Sequence, residues 1–264
     1  MRNNDTVFKT IFVAISLCLI CSAIISSAAV GLRDLQEANQ KLDKQSKILS
    51  SIGLSTKSKS IEELFLSIQE KIIDLDTGEF IDSMDMDSFN ESSLARDDTT
   101  SIVLSSSEDI ALIKRRENYQ KIYLHYSNKT LSSIIFPVRG YGLWGTLYGY
   151  LAVKPDFQTI IGLEFFQHKE TPGLGAEVDN PRWKALWRNK KIYGDSGEVL
   201  ISVVKGTVNS SSTLSDYQVD GLSGATITSK GVSNLLTFWL GELGYLPFIK
   251  RFRKDNLILE KINV

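Results

Sequence analysis

Late in the chain, Asp220-Gly221-Leu222-Ser223-Gly224-Ala225-Thr226-Ile227-Thr228 leads small residues directly into an amphipathic segment with Val232, Leu235, Leu236 and Trp239. Small residues at the entrance to a helix leave the Thr226 hydroxyl beside amide donors that lack an intrahelical partner, and the helix dipole there favours a phosphate. The plainer alternative is a capping turn in which Ser, Thr or Asp accepts those amide hydrogen bonds. Upstream, His168-Lys-Glu170-Thr171-Pro172-Gly173-Leu174-Gly175 makes an abrupt loop after a strand, and its glycines allow backbone to approach a ligand closely. Taken alone it is a turn. Gly140-Tyr-Gly142-Leu143-Trp144-Gly145 satisfies G-x-G-x-x-G formally. Bulky Leu143 and Trp144, followed by a strand rather than a helix, contradict a dinucleotide fingerprint. The motif reads instead as a turn that presents Leu143 and Trp144.

Other chemistry finds little support. His125 and His168 are the only histidines, and no H-E-x-x-H or paired C-x-x-C lies outside the apolar N-terminal stretch. No metal site and no catalytic side chain is therefore expected. Cys18 and Cys21 stand three residues apart inside that stretch, on one face of a helix. They are either half of an iron–sulfur site completed by a partner protein or two small apolar fillers, and the fillers are the simpler reading. They supply no disulfide framework for the rest of the chain.

The elements that must position these segments can be read from periodicity. Leu35, Leu42 and Leu49 recur at seven-residue spacing in a polar background, predicting a helix over residues 34–50. Ser60 with Glu63 forms a capping box, with Ile61, Leu64, Phe65, Ile68 and Ile72 on one predicted helical face. Residues 74–109 are acidic and Ser-rich and read as a solvated variable region. Strands are predicted over 110–113, 121–126, 133–138, 146–153, 159–166 and 199–204, with a short helix at Asn180-Pro181 and a longer one over 228–243. Short spacings favour antiparallel hairpins over crossover units. The expected fold class is α+β, a largely antiparallel twisted sheet with flanking helices.

Residues 10–32 contain no charged side chain and are long enough to span about 30 Å of hydrocarbon. A cleaved signal peptide is the rival, with Arg2 and Lys9 as its basic region, but the run is too long for a typical signal core. With 30 Lys+Arg against 31 Asp+Glu there is no basic excess to neutralise a nucleic-acid backbone, which argues against a nucleic-acid role. The expected organisation is a tip and membrane anchor over 1–33, a juxtamembrane and acidic region over 34–109, and a soluble domain over 110–264.

The Asp-x-x-Ser-Gly-Ala-Thr run resembles the flavinylation motif of covalent FMN-binding domains. Together with Gly-Tyr-Gly-Leu-Trp-Gly, Glu-Thr-Pro-Gly-Leu-Gly-x-Glu, Lys205-Gly206, the 222–231 segment and the juxtamembrane Leu42-Asp43-Lys44-Gln45, the chain is similar to the C-subunit family of bacterial sodium-translocating NADH:ubiquinone reductases. The acidic region matches nothing in that family. The resemblance implies FMN esterified through its phosphate to Thr226 by a flavin transferase. It implies further contacts from Asp220, Gly221, Leu222, Ser223, Gly224, Ala225 and Thr228, with Leu143, Trp144, Glu170, Thr171, Leu174 and Gly175 around the isoalloxazine ring. It also implies an electron relay from NADH to ubiquinone coupled to sodium export, within a bacterial inner-membrane complex of six subunits, with a cytoplasmic N-terminus and a periplasmic domain. The nearest alternative is the flavoprotein member of ion-translocating ferredoxin:NAD⁺ oxidoreductases. A tethered extracytoplasmic binding module without redox activity is the alternative from another class. With no carboxylate in the membrane run, no cation path is evident in this chain.

Overall fold

The structure, a computed structural model, describes residues 6–54, 59–86 and 88–255. The chain divides into two compact units, residues 1–44 and 45–264. In the first, α1 (Val7–Gly31) carries no charged residue after Lys9 and has no buried residue. It is long and apolar enough to cross a membrane. Helix α2 (Arg33–Ser51) follows after Leu32 and runs into the second unit. The leucine stripe packs only at its C-terminal end: Ile48, Leu49 and Ser51 are buried, whereas Leu35 is exposed.

The second unit is built on six strands, β1 (Ile68–Asp74), β2 (Phe80–Ile81), β5 (Tyr119–Ser127), β6 (Thr130–Tyr141), β7 (Thr146–Val153) and β8 (Ile160–Gln167). They pair in the order β2-β1-β5-β6-β7-β8, and every pairing is antiparallel. This is the expected fold class. Between β2 and β5 lie α4 (Glu91–Leu94) and the hairpin of β3 (Ser101–Val103) with β4 (Arg115–Glu117). After the sheet come α5 (Pro181–Ala185), the parallel pair β9 (Ser202–Val203) and β10 (Gln218–Val219), α6 (Thr226–Trp239) and α7 (Leu246–Asp255).

Apolar alternation along the strands divides the core between the two sheet faces. On one face Ile122, Ile134, Phe136, Leu147, Leu151 and Phe165 meet Val232, Leu235, Leu236 and Trp239 of α6 and Phe248 of α7. On the other, Tyr123, Ile135, Tyr150 and Ala152 meet Ile48 and Leu49 of α2, with Leu64 and Phe65 of α3 (Ile61–Phe65) packed beside them.

Several expectations need correction. Ser60 caps α3 through the Glu63 amide as predicted, but that helix ends at Phe65. Ile68 and Ile72 belong to β1, which pairs with β5 along its whole length and so overrides the helical spacing. Residues 74–109 are not merely solvated, since Leu75, Ser101 and Leu104 are buried and Asp76 pairs with the buried Arg116. Residues 110–113 form a turn rather than a strand. Asp109 accepts hydrogen bonds from the Ile113 and Lys114 amides, and Leu112 and Lys114 adopt positive φ. Helix α6 starts at Thr226 itself, two residues before its predicted start, and α7 was not anticipated.

Candidate functional site

Thr226 is the first helical residue of α6, and Ala225 at the N-cap supplies no side-chain acceptor. The first-turn amides therefore point outward without an intrahelical partner. Ala225 makes no side-chain cap to these amides, whereas Ser229 accepts the Leu222 amide and Asp220 the Val208 amide, bonds that hold the turn before the helix. Leu222 to Ala225 close a turn through the Ala225 N–H to Leu222 carbonyl bond, with Gly224 at φ +70°, the position of a type II turn that favours glycine. Ser223, Gly224, Thr226 and Ile227 are exposed around it.

Thr226 also lines a cleft with Val203, Lys205, Gly206, Leu222 and Lys230. The cleft's far wall is fixed by backbone. The Gly221 amide donates to the Gly206 carbonyl at 2.7 Å, and a side chain on Gly221 would collide with the Val204 carbonyl. Asp220 thus holds the 206–208 loop in place, and its own carbonyl takes the Trp183 indole N–H. Two exposed lysines stand at this cleft. Lys230 escaped sequence reasoning, although its place one helical turn after Thr226 was there to be read.

The other two segments reach the same place. Thr171, Pro172, Gly173 and Leu174 form a turn closed by the Leu174 amide on the Thr171 carbonyl, with Gly173 at φ +76°. Leu174 reaches Gly224, where an added Cβ would lie 2.8 Å from a Leu174 methyl. Residues 142–145 connect β6 to β7, with the Gly142 amide bonded to the Gly145 carbonyl. Gly231 of α6 lies so close to this turn that a Cβ would sit 2.5 Å from the Tyr141 carbonyl. The structure therefore brings Leu174 against the turn before Thr226 and the 141–142 backbone against α6 at Gly231, and leaves Leu143, Trp144, Leu174 and Ile227 as exposed apolar side chains, Trp144 at 62% exposure.

Two predicted contacts are placed differently. Thr228 is fully buried and donates to Glu170 Oε2 at 2.5 Å, while Glu170 Oε1 accepts from the Leu143 and Trp144 amides at 2.9 and 3.0 Å. Their side chains bond to protein rather than facing solvent, and Gly175 is buried against both. Among the described residues no cluster suited to a metal ion occurs, and Cys18 and Cys21 are exposed and unbridged.

Residues 142–241, which contain every one of these segments, match the FMN-binding domain family. The C-subunit of the Na⁺-translocating NADH-quinone reductase of Pseudomonas aeruginosa is 46% identical, covering 97% of this chain and 100% of its own length. The chain belongs to that C-subunit family. The Vibrio vulnificus member is 43% identical over the same share of both chains. The crystal structure of the family member NqrC from Shewanella oneidensis superposes with a TM-score of 0.76 at 33% identity, covering 83% of this chain and all of the other. The C-subunit from Parabacteroides distasonis gives 0.64 at 30%, covering 83% and 96%.

Proposed function

We propose that this protein is the membrane-anchored electron-relay subunit of a sodium-translocating NADH:ubiquinone oxidoreductase and carries FMN on Thr226 through a phosphodiester. The observation that carries the proposal is the exposed Thr226 hydroxyl at an uncapped helix N-terminus, beside Lys205 and Lys230, within the segment that matches FMN-binding domains. Bound FMN supplies the redox chemistry, and the protein supplies orientation, shielding and electrostatics.

The residues present fit that group. First-turn amides of α6 and the Ser223-Gly224 turn would hold the phosphate, and the two ammonium groups would offset its charge. Ala225 and Leu222 seal the base of this turn against the core, and Gly221 with Asp220 keeps the opposite wall close. Leu143, Trp144, Leu174 and Thr171 would flank the ring and exclude water from it. The exposure of Thr226 also supports access by a flavin transferase, which joins the hydroxyl oxygen to the FMN phosphorus of FAD, cleaves the pyrophosphate bond and releases AMP.

The 25-residue α1, about 37 Å long at 1.5 Å per residue, supports an uncleaved single span in the inner membrane. On this reading residues 1–33 are the cytoplasmic tip and anchor, and the periplasmic FMN-binding domain takes in β1 and β2 as well as residues 110–264. Five further subunits would then complete the assembly that passes electrons from NADH to ubiquinone and exports sodium.

Intact-mass analysis of the full chain co-expressed with a flavin transferase tests the attachment. The wild type gains the mass of one FMN less water, and Thr226→Ala gains nothing while remaining folded. In-gel flavin fluorescence that persists in Thr226→Ala overturns the assignment.

A further inference from the structure

Glu170 is 5% exposed and is held between three segments of chain. Its Oε1 accepts from the amides of Leu143 and Trp144, and its Oε2 from the hydroxyl of Thr228. Two glycines leave room for it. A Cβ on Gly142 would lie 2.5 Å from Oε1, and one on Gly175 would collide with Oε2 and with Thr228 Oγ1. All three partners donate, so the carboxylate is used purely as an acceptor, and hydrogen bonds to such a group are among the stronger ones a protein makes. The bonds to Glu170 hold the two residues of the 142–145 turn whose side chains are exposed, Leu143 and Trp144.

The geometry points to Glu170 and Thr228 as positioning residues. Together they form a buried clamp that fixes the Leu143-Trp144 turn against the first two turns of α6, the helix that begins with Thr226. The inference rests on the reading of Thr226 as the flavin carrier and deepens it. The ring-flanking side chains are registered to the attachment point through protein hydrogen bonds, and the carboxylate does not touch the cofactor.

The test uses the full chain in detergent, flavinylated by co-expressed transferase, as wild type, Glu170→Ala, Glu170→Gln and Thr228→Val. The clamp predicts complete attachment by intact mass in all four proteins. Flavin absorption and reduction potential shift in Glu170→Ala and Thr228→Val, while Glu170→Gln stays close to wild type. The glutamine oxygen still accepts both amides, and its nitrogen donates to the Thr228 hydroxyl. A shift in Glu170→Gln with none in Thr228→Val overturns the clamp in favour of a direct charge effect on the ring. No shift in any variant overturns it as well.

Hydrogen–deuterium exchange of the peptide containing Leu143 and Trp144, in the unflavinylated Thr226→Ala background, gives a readout independent of the cofactor. Exchange there should speed by roughly tenfold or more in Glu170→Ala and Thr228→Val, as expected on losing a buried hydrogen bond. Unchanged exchange refutes the clamp. A wild type that carries no flavin refutes the attachment reading alone and leaves the clamp to be decided by exchange.

Discussion

Trp183, Trp187 and Trp239 are buried, and Trp144 is not. Trp239→Ala should therefore cost about 3 to 5 kcal/mol in chemical denaturation. Trp144→Ala should change stability by no more than about 0.5 kcal/mol yet shift the absorption of bound flavin. A large stability loss at Trp144, or an unaltered flavin spectrum, would remove it from the ring's surroundings. At this scale the exposed place of Thr226 at a helix start was legible, because small residues and a hydroxyl ahead of an amphipathic run form a readable pattern. Thr228 is instead buried and bonded to Glu170. Residues two apart on a helix point about 200° away from each other, so one of the two hydroxyls had to face inward. Which one did so depended on where α6 begins, and the small residues at 223–225 leave that boundary open. Glu170 was found by its motif, but its bonds to Leu143, Trp144 and Thr228 join positions 26 to 58 residues away, beyond the reach of any local pattern.

The hairpin strands were legible as elements because aromatic and β-branched residues alternate along them. Ile68 and Ile72 were not, since a separation of four suits one face of a helix and one face of a strand alike. The β5–β6 hairpin turns through Asn128 and Lys129, both at positive φ. Asparagine tolerates this conformation and lysine does not, so Lys129→Gly should raise stability by about 1 kcal/mol, read from the denaturation midpoint. Gly162 on β8 sits where a Cβ would lie 2.5 Å from the Ser51 carbonyl at the end of α2. Gly162→Ala should destabilise the domain by about 1 to 3 kcal/mol, and an unchanged midpoint would mean that α2 yields easily. His125 lies at a register shift in β5, and burial pushes its pKa below the ordinary value. Its neutral form is the favoured one in the folded state. The stability tied to it is therefore complete above the unfolded pKa of about 6.5 and is lost as pH falls below that. His125→Asn should flatten the fall in midpoint over this range.

At the scale of the whole molecule, the second unit holds a core of its own, and the first contributes no buried residue from α1. A chain beginning at Gln45 should be soluble and unfold like the full protein. One beginning at Ile52 loses Ile48 and Leu49 from the second core, and truncations of this kind cost about 2 to 5 kcal/mol per side chain. Equal stability of the two would show that the end of α2 is dispensable. A reporter active only in the cytoplasm should be silent when fused after Val264, and activity there would reverse the proposed orientation. The class of fold and the tether were legible from composition and hairpin spacing, whereas the fold of residues 74–118 depends on distant partners such as Arg116 with Asp76 and the Leu243 carbonyl. The margins of the sheet have a different consequence. On one side β2 covers β1 only at Ile72 and Ile73, and the uncovered stretch carries Glu70 and Lys71, paired to Lys121 and Asp82. On the other, β8 begins under backbone bonds to residues 189 and 190 and presents Glu164 paired with Lys184. At each margin a charged pair interrupts the edge, which discourages strand addition. A newly made copy is thus guarded by these charges against zipping onto its siblings.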